Sequence, residues 1–260
     1  MVLKRVLGIG CAIASVGLAH AQPTITFNGH YGPDDVINIQ YHQGSTNLSD
    51  TGVVAGFLQF NDNSHQNGLA SPFETLCGDI FHDISSGSTY IDTIYQTGTF
   101  GATNTYVSAY TNATAVQAAG NIVGKDFNTV YNTPNGDTAA ELQIAVWATL
   151  YDTLYTSQTE TTFASMLEST GPFTVSGLGS TSHNDAILAG AYGYWKDQGN
   201  PVSNALFLLH GATGFQGQDQ FTTSDHYHPG LAPEPFTMGI GLAGVGLAVR
   251  RRLRSRSATK

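Results

Sequence analysis

DTAAELQIAVWATLYDTLY, residues 137–155, is the stretch whose period decides the fold. It follows the turn signal Asn135-Gly136, offers Asp137 as an N-cap and carries Glu141 in its first turns, where negative charge suits a helix N-terminus. Leu142, Ala145, Val146, Thr149 and Leu150 recur at helical spacing and can share one face, flanked by Trp147 and Leu154. A helix is predicted here.

The sequence on either side has a different period. Upstream, TITFNG (24–29) and VINIQY (36–41) alternate as strands do, and VVAGFLQF (53–60) is a stronger apolar run. FETLCGDIF (73–81) and STYIDTIYQTGTF (88–100) follow, separated by Ser/Gly punctuation. NATAVQAAGNIVGKDFNTVY (112–131) returns to helical spacing, weakened by Gly120 and Gly124. Shorter helices are expected at TETTFASMLES (159–169) and HNDAILAGAYGYWKDQ (183–198). ALFLLH (205–210) has the composition of a buried strand, and GFQGQDQFTT (214–223) that of an edge strand or loop. Strands, then helices, then strands predict an α+β domain: a β-rich sandwich or barrel with a helical insertion. No internal repeat is present.

The two ends are patterned as address signals. Lys4 and Arg5, an apolar run and Ala19-His20-Ala21 lay out a secretory signal peptide over residues 1–21, cleaved after Ala21. Cys11 leaves with it. At the other end, residues 232–260 contain Pro233-Glu234-Pro235, an uncharged apolar run from Phe236 to Val249, and Arg250, Arg251, Arg252, Arg254 and Arg256. The run is short against the ~20 residues of a spanning helix, and the arginines hold its end in the cytoplasm. A plain membrane anchor accounts for this pattern. The three parts in this order also resemble the PEP-CTERM sorting signal. That resemblance implies an exosortase-type enzyme cutting near Pro233–Pro235, transient anchorage in the inner membrane, and a body left at the cell surface or in the exopolysaccharide matrix.

The body is residues 22–231. Between residues 22 and 235 only Lys125 and Lys196 are basic, against 19 acidic residues, a net charge of −17. Such a surface repels nucleic acid and anionic headgroups. The apolar and aromatic content is that of a globule.

Cys77 is the one cysteine the body keeps. Outside the cytoplasm a thiol is exposed to oxidation, so it is buried and inert, paired with another chain, or consumed in a bond to a residue that is not cysteine. Gln143 supports the third option. It stands four residues before Trp147, so the two share a helix face, and a glutamine on an apolar face is costly unless its amide is satisfied. Attack of the Cys77 sulfur on that amide, with loss of ammonia, gives an internal thioester, an activated acyl group that an amine or hydroxyl can take. Leu76-Cys77-Gly78-Asp79 together with Leu142-Gln143-x-x-Val146-Trp147 resembles the paired signature of bacterial surface thioester domains. The likeness covers about Val53 to Asp152. It implies Cys77 as thioester sulfur, Gln143 as acyl donor, Trp147 as a shielding neighbour, and a thioester-domain-like β-rich body with a helical part. The chain departs from that family in having no stalk domains. Asp79, two residues on, is expected to disfavour a bare thiolate.

Other clusters carry weaker signals. Asp79, His82 and Asp83 suit strand-end hydrogen bonding better than a cation. His226 and His228, beside Asp225, ligate zinc or copper only if a third ligand arrives, and are expected to be solvated. FNDNSHQN (60–67) lacks the spacing of a calcium loop. Gly217-Gln218-Asp219-Gln220 has the composition of a turn. No catalytic motif such as G-x-S-x-G or H-E-x-x-H occurs. The expected protein is an exported adhesin, not an enzyme, without metal or cofactor, acting on extracellular polysaccharide or a surface amine or hydroxyl. The alternative is a non-reactive matrix-binding module with the same fold.

Overall fold

The structure is a computed structural model that describes residues 24–63, 69–96, 113–133, 135–152, 158–202, 204–210 and 219–226. The expected signal peptide with Cys11, Ala19 and Ala21, the expected sorting segment with Pro233, Glu234 and Pro235, the apolar run Phe236–Val249, and His228 lie outside the described residues. No described helix is long and apolar enough to cross a membrane.

The chain is a mixed helix and strand protein built on an antiparallel sheet, the α+β class that the alternation of periods predicts. Strand β1 (Thr24–Gln43) absorbs both alternating segments of the N-terminal region. Gly29 and Gly32, at φ 136° and 75°, let it bend instead of turning back, and its register shifts at those points. Strand β2 (Thr46–Asp62) returns along its whole length. Strand β3 (Phe73–Cys77) pairs with β2, and every one of its five residues is buried. Strand β4 (Thr89–Gln96) pairs with the start of β1.

Helices α1 (Ala113–Asn132), α2 (Gly136–Tyr151) and α3 (Glu160–Ser165) follow, the last running into a π-type turn over Met166–Thr170. Strand β5 (Phe173–Ser176), a four-residue segment too short to stand out in the sequence, pairs with the outer half of β1. Helix α4 (Thr181–Trp195) precedes strands β6 (Ala205–His210) and β7 (Gln220–Thr223). β7 is not an edge strand: it lies between β3 and β6. β6 pairs with β4, so the pairings β1–β2–β3–β7–β6–β4 return to β1 and form a closed antiparallel ring.

Helix α2 is the centre of the molecule. It packs against α1 and α4 and against β1 and β2. Twelve of its sixteen residues are buried, which a helix apolar all round requires. Its N-cap is Asn135, whose side chain accepts from the Asp137 N–H, so the cap lies two residues before the expected Asp137. Asp137 sits instead in the first turn, where its charge faces the positive end of the helix.

Gly124, which weakened the prediction of α1, is there for packing. A Cβ at this position would overlap the Val202 side chain and lie 2.6 Å from Asn204 Oδ1, whose amide donates 2.8 Å to the Gly124 carbonyl. Helix propensity alone favours alanine there by about 1 kcal/mol. Overpacking works the other way, so Gly124→Ala lowers stability by about 1–2 kcal/mol net, read as a fall in the urea midpoint.

Candidate functional site

The end of β3 and the centre of α2 meet through side chains spaced four residues apart on the helix. Gln143, Trp147 and Tyr151 form one stripe, the i, i+4, i+8 pattern of a single face. All three are buried, Gln143 completely. Gln143 Oε1 accepts from the Cys77 N–H at 2.9 Å, and Gln143 Nε2 donates to the Cys77 carbonyl at 2.8 Å. The carboxamide thus acts as a short extra strand beside Cys77. One turn on, Trp147 lies beside the thiol. Two turns on, the Tyr151 hydroxyl donates 2.9 Å to the Gly78 carbonyl and accepts from the Ile80 N–H at 3.2 Å.

The segment Cys77–Ile80 is gripped from the other side by β7. Cys77 opposes Gln220, the Gly78 N–H donates 2.7 Å to the Asp219 carbonyl, and Thr75 Oγ1 donates 2.8 Å to Gln220 Oε1. Gly78 makes this approach possible, since a Cβ there would stand 3.0 Å from the Phe221 ring and 3.1 Å from the Asp219 carbonyl. Asp219 and Gln220, expected to form a turn, therefore support the site. Gly217 and Gln218 lie outside the described residues.

Cys77 is a buried free thiol, and its sulfur donates 3.0 Å to the Asp79 carbonyl. Burial, first, and then the Asp79 charge push its pKa well up, so the sulfur keeps its proton. A backbone hydrogen bond at Asp79 and the Trp147 side chain offset part of this. The Trp147 indole nitrogen is buried with no hydrogen-bond partner among the described residues. The Asp79 carboxylate is held elsewhere: it accepts from the Phe81 N–H at 2.8 Å and bonds His82 Nδ1 at 2.5 Å. The Asp79–His82 pair is thus the loop hydrogen bonding that the sequence suggests, and Asp83 is exposed at the surface.

Above the thiol lies a cavity of about 370 Å³. Cys77 and Trp147 are its buried walls, Ile39 and Leu58 add apolar surface, and His30 and Asp50 bring polar groups. No local pattern in the sequence marks this cavity, and Tyr151 was not singled out from it. The signal for Tyr151 was present in the four-residue spacing after Trp147, which continues the stripe by one more turn.

A second polar group sits at the start of α2. Asp35, Asp137 and His183 bring one side-chain atom each within 4.8 Å of one another, and Glu141 packs against Gly190 of α4 in the same region. Burial, then Asp137 and Asp35, push the Glu141 carboxyl up to about 7. Asp35 is raised by burial and by Asp137, with His183 opposing.

No protein-family model matches the chain, and no curated protein matches it.

Tyr151→Phe removes both hydrogen bonds to the loop and leaves two buried backbone groups unpaired, at a cost of about 2–3 kcal/mol in chemical denaturation. The Glu141 effect has a definite sign. Its folded pKa lies above its unfolded value, so the unfolded chain loses its proton first as pH rises. Stability therefore declines between the ordinary glutamate range and about 7. Glu141→Gln removes its share of that decline and raises stability at neutral pH by about 1–2 kcal/mol, a figure discounted for solvent screening at a half-buried site. Urea midpoints of both proteins across this pH range check it.

Proposed function

We propose that the chain is an exported bacterial cell-surface or matrix protein whose body stores an activated acyl group as a thioester between Cys77 Sγ and the Gln143 side chain. The observation that carries this reading is the pair of hydrogen bonds fixing the Gln143 carboxamide on the peptide of Cys77 itself, beside its buried thiol.

The chemistry follows from those contacts. The sulfur attacks Gln143 Cδ, a C–S bond forms, the C–N bond breaks, and the thiol proton leaves with the nitrogen as ammonia. No outside reagent is needed. The Cys77 N–H, already bonded to Oε1, stabilises the negative charge that develops on that oxygen, as an oxyanion-hole donor does. The raised thiol pKa is compatible with this path, because the departing nitrogen requires the proton that the sulfur holds. Trp147 closes one side of the bond against water.

An incoming amine or hydroxyl takes the acyl group and becomes joined to the protein by a stable amide or ester. The event happens once per molecule, so the protein is an adhesin and not an enzyme. The closed antiparallel body with its central helix supports a thioester-domain-like fold. The sorting signal at residues 232–260 supports processing by an exosortase-type enzyme, passage through the inner membrane, and final residence at the cell surface or among matrix polysaccharide. The target is a polysaccharide hydroxyl or a surface amine.

One observation favours a second reading. The intact Gln143 amide is satisfied at both ends by Cys77, so it also serves as a structural clamp in a non-reactive matrix-binding module. Intact mass separates the two. The thioester lowers the mass of the purified protein by one ammonia, and methylamine adds to Gln143 while releasing the Cys77 thiol to alkylation. A protein of full mass whose Cys77 reacts with a thiol reagent under native conditions ends the thioester reading. Gln143→Ala abolishes the mass deficit and, by stranding the Cys77 N–H and C=O in the core, costs about 2–4 kcal/mol of stability.

A further inference from the structure

We propose that His30, oriented by Asp34, is the base that takes the proton from a nucleophile entering the cavity above Cys77, an assignment that rests on the thioester reading. The ladder places His30 and Cys77 on one face of the sheet. His30 on β1 opposes Leu58 on β2, Leu58 opposes Thr75 on β3, and Cys77 stands two residues beyond Thr75. Alternate residues of a strand share a face, so His30, Leu58 and Cys77 look onto the same side of the sheet. All three line the same cavity of about 370 Å³.

The ring of His30 has a defined orientation. Its Nδ1 lies 3.1 Å from Asp34 Oδ2. A carboxylate accepts, so Nδ1 carries the hydrogen and Nε2 is left with the lone pair, the arrangement in which a histidine serves as a base. The charged groups facing it are Asp34 from its own strand, Asp50 from β2 and Asp83 from the loop after β3, all acidic. They favour a cationic amine approaching the cavity and stabilise the imidazolium that proton transfer creates. His82 is also paired with a carboxylate, but it does not line the cavity.

The transfer step balances without a further reactant. The nucleophile attacks the acyl carbon of Gln143, its proton passes to His30 Nε2, the C–S bond breaks, and the sulfur leaves with the electron pair. The proton then moves from the imidazolium to the sulfur, which holds it more firmly than imidazole does in this buried setting. The products are an amide at Gln143 and the Cys77 thiol.

The test follows methylamine adduct formation by intact-mass time course on the full chain carrying the mass deficit, at one fixed pH and free-amine concentration, with and without added imidazole. His30→Gln keeps the mass deficit, reacts about 100-fold more slowly and is accelerated by added imidazole. Asp34→Asn shows a smaller loss, and His82→Gln behaves as wild type. A His30→Gln protein with the mass deficit and an unchanged rate overturns the assignment. So does one that lacks the deficit when wild type has it, since His30 then acts in forming the bond. A wild-type protein of full mass overturns the thioester reading itself, and the base with it.

Discussion

Two hydrogen bonds between the Gln143 carboxamide and the peptide of Cys77 set the position of the central helix against the sheet. Helix α2 is apolar nearly all round, and apolar contacts alone tolerate small rotations and slides. Directional contacts do not. Gln143 fixes the height of the helix at Cys77, and Tyr151, two turns on, fixes its rotation at Gly78 and Ile80. Breaking these bonds would leave four buried backbone groups without partners, which is costlier than the net worth of the bonds when made. The closed ring of strands then has one seat for the helix, with β3 held between α2 and β7.

The same contacts suit a structural clamp and a reactive pair because both need the amide to be immobile. A clamp needs it for packing specificity. Acyl chemistry needs it because a carbonyl held next to a nucleophile has already lost the freedom that an intermolecular reaction would have to remove. If ammonia leaves, the bond from Nε2 to the Cys77 carbonyl goes with it, and a covalent link takes over the mechanical role. The Cys77 N–H keeps its acceptor throughout, since Oε1 belongs to both the amide and the thioester. The helix therefore keeps its seat in either state.

Much of this was legible in the sequence, and the failures have physical causes. The 3.6-residue period in α2 and the alternation in TITFNG and VINIQY gave the element types, because each reflects one face meeting a core. The Cys77–Gln143 pairing was legible because an amide on an apolar helix face demands a partner. The single bent β1 was not, because glycines at positive φ serve turns and bulges equally and only the partner strand decides between them. The central place of β7 was also hidden: four residues carry no sign of which strands flank them, and QFTT alternates no more clearly than an edge strand does. The cavity depends on the meeting of β1, β2 and the loop after β3, which no local pattern encodes, and the His30–Asp34 pair lies within β1, where only the bend at Gly32 brings residues four apart together.

A protein that stores an activated acyl group must also avoid spending it on itself, and the composition bears on this. Lysine amines are the most available nucleophiles on most surfaces, yet residues 22 to 235 hold only Lys125 and Lys196. Both are engaged. Lys125 is bonded to Asp197, which raises its pKa and keeps it as an ammonium with no lone pair to attack. Lys196 sits 5.1 Å from the centre of the Tyr192 ring, where a cation is attracted to the aromatic face. Neither lines the cavity above Cys77, whose charged walls are acidic. On the thioester reading, the scarcity of lysine leaves few internal amines to compete for the acyl group, while the acidic walls favour the approach of cationic ones from outside. An inert matrix-binding module has no need to exclude lysine, so the near absence of amines fits the reactive reading better than the clamp alone does.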